Sequence, residues 1–257
     1  MEIGINIGWR DIDIDAQTEY MKKYGFNAAM LGSDKPDEHM EKLINAGIKI
    51  ESLHAPFSKI NTLWQNGAEG DGFLEKIIDG VEKCARWNVH VLVVHISSGI
   101  PAPMVNDIGI SRFDKLMEAA DKNKITIAYE NQRMLGNIAL LLEYYPQAGF
   151  CWDTGHEACF AGGRQYMPLF GKRLSEVHIH DNMGVYNEDL HLLPYDGKID
   201  FERVANQIAS TDYMGSVMLE VNGTNKCYAE MTDDEYYASA AKAAKKLADR
   251  IKEIRSV

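Results

Sequence analysis

A strand-sized apolar run followed by a helix-sized amphipathic one recurs eight times in this chain. The runs are EIGINIG (2–8), NAAMLGS (27–33), IKIESLHAPF (48–57), HVLVVHIS (90–97), KITIAYEN (124–131), AGFCWDTGH (148–156), SEVHIHDN (175–182) and GSVMLEVNG (215–223). Helical patterns such as DIGISRFDKLMEAADKN, NIALLLEYY and IDFERVANQIAS lie between them. Thr232 and Glu235 have the spacing of a capping box and mark the start of a last helix, whose alanine-rich part (238–248) is read as packing on the body of the fold. Strands alternating with helices build parallel βαβ units. Runs this apolar suit a sheet covered on both faces. An open doubly wound sheet would carry a Gly-rich phosphate turn after its first strand, and GINIGWRD is not GxGxxG. The expectation is an α/β fold, a single (β/α)8 TIM barrel spanning residues 1–257. The long connection 58–72 reads as an active-site loop.

The net charge of -11 disfavours general nucleic-acid binding, because such a surface repels phosphate backbones at long range. The opening MEIGINIGWRDIDIDA lacks the basic start and apolar run of a secretory signal, and no run of ~18 apolar residues predicts a membrane span. Cys84, Cys151, Cys159 and Cys227 form no CxxC pair and read as buried free thiols of a cytoplasmic protein.

In a barrel of this kind the C-terminal ends of the strands carry the chemistry. Those ends read, in order, His54, His95, Glu130, Asp153 with His156, His178 with His180, and Glu220; Asp189 and His191 follow in a D-x-H element. Of the eight histidines only His39 and His90 fall outside this set. Residues two apart on a strand share a face, so His178 and His180 point the same way. Converging carboxylates and imidazoles are costly to bury without a cation, since unpaired buried carboxylates cost several kcal/mol or shift their pKa. Mixed Glu, Asp and His ligands suit a divalent ion such as Mn²⁺, Co²⁺, Fe²⁺, Mg²⁺ or Zn²⁺. Glu130, Asp153, one of the two seventh-strand histidines and Glu220 would form such a site. His54, His95, His156, Asp189 and His191 would bind further metals or contact substrate.

The segments SLHAPF, VVHISSG, AYENQ, CWDTGH, VHIHDN, DLHLLPYDGKID and LEVNG, in that order over residues 52–223, resemble the xylose isomerase-like TIM-barrel superfamily of sugar isomerases, epimerases and endonuclease IV. The resemblance implies metal ligands at Glu130, Asp153, His178 and Glu220, with His180 as the alternative to His178. It implies that Glu130 and Glu220 carry protons in an isomerase or epimerase acting on a small sugar, sugar phosphate or keto-polyol, with His156 on the substrate. The epimerases of the group carry a substrate-binding Arg shortly after the ligand His; NMGVYNED has none. The endonuclease IV pattern of up to three zinc ions is also filled, at His54, His95, Glu130, Asp153, His156, His178, Asp189, His191 and Glu220. The charge and the lack of a basic groove weigh against that zinc-dependent phosphodiesterase reading. A third reading is a catalytically inactive barrel acting as a binding module; the intact Glu130 and Glu220 pair weighs against it. Superfamily relatives often pair barrels, so a homo-oligomer is compatible.

Arg133 in ENQR and Arg164 in GGRQY could bind a phosphate or carboxylate, with a surface salt bridge the first expectation for each. Trp9, Phe57 and Trp64 would wall a sugar pocket or pack ordinarily, and Tyr195, standing where the family has a Gly, would reshape the rim.

Overall fold

The computed structural model describes residues 1–256. Eight strands alternate with helices in the expected order: β1 (Ile3–Asn6), α1 (Ile14–Tyr24), β2 (Ala28–Gly32), α2 (Asp37–Asn45), β3 (Lys49–His54), α3 (Ala68–Arg86), β4 (Val91–Val94), α4 (Asp107–Asn123) and β5 (Thr126–Glu130). There follow α5 (Leu135–Tyr144), β6 (Gly149–Asp153), the short α6 (Thr154–Phe160) and α7 (Met167–Phe170), β7 (Leu174–His178), α8 (Phe201–Ala209), β8 (Val217–Leu219) and α9 (Asp233–Arg255). The sheet order is β7-β6-β5-β4-β3-β2-β1-β8, every named pair parallel. A parallel bridge between Ile179 and Leu219 joins β7 to β8, with Ile179 N–H donating to Met218 O at 2.8 Å. The protein is a single (β/α)8 TIM barrel.

The main core lies between the strands and the surrounding helices, and a separate small cluster of Val93, Ala128 and Cys151 sits apart from it. These three stand two residues before His95, Glu130 and Asp153, so alternation places them inside the barrel beneath the polar layer. Small residues there leave the narrow interior room for larger side chains above.

Residues 58–72 are not an open loop. Ile60–Trp64 form a 3-10 turn and α3 begins at Ala68, so the apparent length of the connection was mostly helix. Trp64 is buried, donates to Ile96 O at 2.7 Å and packs where a Cβ on Gly109 would meet its ring at 1.9 Å. It is a core residue and not a pocket wall. Cys227 is exposed, unlike the other three cysteines.

The Thr232–Glu235 capping box forms in both directions, with Glu235 N–H donating to Thr232 Oγ1 and Thr232 N–H to Glu235 Oε2. Thr232→Ala is expected to cost about 1 kcal/mol and to lower Tm by about 3 °C in a domain of this size. Thermal unfolding followed by circular dichroism would measure it; an unchanged Tm would mean α9 is held by packing alone.

Candidate active site

The strand ends and the segment after β7 bring together the carboxylates and imidazoles that the sequence placed there. Glu130 is 1% exposed at the end of β5. His54 Nε2 and His95 Nε2 lie 3.1 and 3.0 Å from its Oε2, and His156 Nδ1 lies 2.7 Å from its Oε1. Asp153 ends β6 in register with His178 of β7. Its carboxylate caps α6 by accepting from His156 N–H at 2.5 Å, and His180 Nε2 lies 2.9 Å away. Asp153 thus ends a strand, starts a helix and faces two imidazoles.

His178 and His180 share a face, as alternation requires, but meet different neighbours. One ligand atom each from Glu130, Asp153, His178 and Glu220 falls within 4.8 Å of the others. The same holds for His54, Glu130 and His178, and for His156, His180, Asp189 and His191. His178 is fully buried with neither ring nitrogen hydrogen-bonded, and its Nδ1 lies 3.5 Å from both Glu130 Oε2 and Glu220 Oε2. A buried imidazole left without partners, between carboxylates, costs free energy unless something else fills the gap. A divalent cation satisfies all four groups at once, so this donor set fits one. The cluster can bind a metal.

The second cluster is held by the segment after β7. Asp189 Oδ2 lies 3.0 Å from His156 Nε2 and 3.1 Å from His191 Nε2, and the His180 and His191 rings stack at 3.9 Å. Asp181 shapes this segment, accepting from the backbone N–H groups of Asn182, Gly197 and Ile199 at 2.7, 2.8 and 3.0 Å. Tyr195 adopts φ +77°, so the left-handed turn survives without glycine at a cost of roughly 1–2 kcal/mol. Its ring packs on Phe201 and under Lys246, outside the mouth. Tyr195 therefore does not reshape the site.

The electrostatics follow from burial opposed by proximity. Burial alone would push the Glu130 carboxyl up, but His95, His178 and His156 outweigh it and hold it well below the usual range. Asp153 is lowered likewise by His156 and His180 against its burial. His191 is raised to about 9, because Asp189 and Glu220 outweigh the loss of solvent. The surrounding imidazoles thus stabilise carboxylates that water cannot reach.

Two cavities open onto the cluster. One, of about 180 Å³, is lined by Trp9, Phe57, Glu130, Arg133, His156, Phe160 and Glu220 among others. The other, of about 220 Å³, shares Trp9, His54, Phe57 and Glu220 and runs towards Asp34 and Lys35. Phe57 stacks on His95 at 4.6 Å and Trp9 meets His191 edge-on at 4.8 Å, so both are pocket walls.

Five residues escaped the sequence reading. Gln132 Nε2 lies 3.0 Å from His156 Nδ1 and donates to Glu130 Oε1 at 3.3 Å. Asn131 brackets Asp153, accepting from its N–H at 2.8 Å and donating to its C=O at 2.9 Å. Both sit in the ENQ run past β5, and amides beside a carboxylate were the available signal. Beneath the site, Glu51 and Glu176 share Tyr213, whose hydroxyl lies 3.3 and 3.1 Å from them. Burial and the Glu51 charge raise Glu176 to about 7. Glu176 stands two before His178, and the alternation applied to the histidines would have found it. Arg133 and Arg164 form no ion pair among the described residues: Arg164 donates to Ala161 O, and Arg133 faces Asn187 and Phe160.

A family model described as xylose isomerase-like TIM barrel matches residues 18–254. The uncharacterized protein y4fM of Sinorhizobium fredii is 34% identical over 104 residues, which cover 40% of this chain and only 32% of that protein. Among solved structures, a D-tagatose 3-epimerase-like protein superposes with a TM-score of 0.73 at 19% identity, covering 100% of this chain and 99% of its own. IolI, solved with a bound zinc atom, gives 0.72 at 16% identity and full coverage of both chains. At such identities the superpositions speak for the fold alone. The family match spans nearly the whole barrel, and this chain belongs to the xylose isomerase-like TIM-barrel family.

Proposed function

We propose that this protein is a divalent-metal-dependent isomerase or epimerase of a small sugar-like ketone, with Glu130, Asp153, His178 and Glu220 as metal ligands and Glu130 and Glu220 as the groups that move protons. The observation that carries the reading is the fully buried His178 ring, unpartnered at both nitrogens, between Glu130 and Glu220. Likeness of fold to a protein described as D-tagatose 3-epimerase-like supports it as an analogy.

A bound cation would supply Lewis-acid polarisation of the substrate carbonyl. The residues of the chain supply the rest. One carboxylate of the Glu130 and Glu220 pair takes the proton from the carbon beside the carbonyl, and one returns it. His54 and His95 fix the Glu130 carboxylate through its Oε2, while Gln132 and His156 hold Oε1. Trp9 and Phe57 offer aromatic faces to sugar C–H groups and keep water away from the reacting carbons.

In deuterium oxide the manganese-loaded protein should introduce deuterium at the carbon next to the carbonyl of its ketose substrate, read by proton NMR over a panel of ketoses and ketose phosphates. No incorporation across the panel would sink the isomerase reading.

The second cluster of His156, His180, Asp189 and His191 favours a further metal and so keeps a multi-zinc phosphodiesterase as the second reading. Elemental analysis separates the two. About one equivalent of metal per chain supports the isomerase; two or three of zinc, with cleavage of abasic-site DNA, supports the phosphodiesterase. Gly155→Ala probes the same cluster, since a Cβ there would meet His180 Cε1 at 1.9 Å. It is expected to push the ring off Asp153 and weaken metal binding at the second cluster by tenfold or more, on the order of the loss seen when a ligand's support is removed.

A further inference from the structure

Arg133 stands at the edge of the cavity over the cluster with no carboxylate to answer it. The side chains it contacts, Asn187, Gln132 and Phe160, are neutral. Its Nε and Nη2 donate to Asn187 Oδ1 at 3.3 and 3.1 Å, and its Nη1 reaches Gln132 Oε1 only at 3.5 Å. The guanidinium carbon sits 3.7 Å from the centroid of the Phe160 ring, which holds the plane of the group from one side. The nearby acids are already engaged: Asp189 with His156 and His191, Glu130 with three imidazoles. An ordinary surface arginine trades its charge with an acid or extends into water. Arg133 is half-buried and meets no acid; it is fixed by an aromatic face and one amide and lines the same cavity as Glu130, His156 and Glu220.

A guanidinium so held keeps donors for a planar or tetrahedral anion, which it binds bidentately. The location matters because the chain as a whole carries a net charge of -11 and repels anions at a distance. A fixed cation beside the cluster offsets that repulsion where a substrate end would lie. Asn187, at φ +62°, holds the other side of the arginine, so the segment after β7 and the ENQR run after β5 shape the position together.

We propose that Arg133 binds a terminal anion of the substrate, a phosphate monoester or a carboxylate, so that the preferred substrate is a sugar phosphate or a sugar acid and not a neutral sugar. The assignment rests on the sugar isomerase reading for the class of molecule, but the anion subsite is tested without turnover.

Calorimetry of the manganese-loaded protein with D-glucitol, D-glucitol 6-phosphate and D-gluconate separates the cases. The wild type is expected to bind at least one of the anionic probes about tenfold or more tightly than glucitol, as one charge-assisted bidentate contact provides. In Arg133→Gln that ratio should fall towards one, and Arg133→Lys should recover part of it. A preference for glucitol 6-phosphate alone makes the anion a phosphate; a preference for gluconate alone makes it a carboxylate. Equal affinity for all three probes, or no measurable binding of any, overturns the proposal. So does an anion preference that survives in Arg133→Gln, which would put the anion on the metal. If deuterium uptake fails for every ketose while the Arg133-dependent preference persists, the isomerase reading falls and the anion subsite stands.

Discussion

Glu130→Gln should lose turnover by a factor of about 10³ or more while the barrel stays folded, the range expected when a positioned proton-transfer group is removed. The amide is nearly the same shape, so the packing around β5 survives. What disappears is a negative charge that three imidazoles contact within 3.1 Å. The carboxylate is expected to serve twice, holding the metal and carrying a proton, and the variant distinguishes the two roles. Loss of bound metal together with activity assigns Glu130 mainly as a ligand. Retained metal with lost deuterium exchange assigns it to proton transfer. A rate within threefold of wild type, with normal metal content, would remove Glu130 from the mechanism and leave its histidine shell without a catalytic explanation.

Arg112→Ala should destabilise the protein by about 3–5 kcal/mol, the cost of removing one buried guanidinium that serves four backbone carbonyls. That corresponds to a fall in Tm of roughly 10 °C for a domain of this length. Arg112 is 3% exposed on α4, and one guanidinium satisfies a whole connection. Its Nη1 donates to the carbonyls of Thr62, Leu63 and Gln65 at 3.1, 2.8 and 2.6 Å, its Nη2 to Gly67 at 2.9 Å, and its Nε to Asp71 at 3.0 Å. Alanine would leave the buried Leu63 carbonyl without its donor and the part-buried carbonyls of Thr62, Gln65 and Gly67 without theirs. The effect should carry into the site, because this connection follows Phe57 and presents Asn61, which holds the Ser98 backbone at 2.8 Å in both directions. Arg112→Lys should rescue little, since one ammonium cannot span the same fan of acceptors. Differential scanning calorimetry decides the matter: a Tm within 2 °C of wild type would mean the connection is held by Trp64 packing instead.

Arg112 also shows where reading the chain stopped. Residues 58–72 look polar and Gly-rich, and length alone suggested an active-site loop. The segment is a short turn and a helix start, because an arginine some 45 positions later supplies the hydrogen bonds that the connection lacks locally. The salt bridge expected at Arg133, which does not form, has the same origin. Whether an arginine meets an acid or an aromatic ring depends on what the segment after β7 brings beside it, and nothing near position 133 states that. Tyr195 is a third instance: its backbone accepts a conformation that favours glycine because Asp181 ties the turn from the other side.

What the chain determined unaided is the part governed by neighbours in sequence. The eight alternations, the capping box of α9 and the polar ends of the strands are local, and parallel strands in a closed ring necessarily deliver those ends to one mouth. The two-residue period likewise put His178 and His180 on one face. The resemblance favoured His178 with Glu130, Asp153 and Glu220 over His180; only the tertiary structure places one ligand atom of each of those four within 4.8 Å and sets His180 among His156, Asp189 and His191. The same is true of Tyr213 lying between Glu51 and Glu176, residues 162 and 37 positions away. The physical reason is that periodicity sets which way a side chain points, whereas its partners are set by strand register and barrel closure, which bring together residues far apart in the chain.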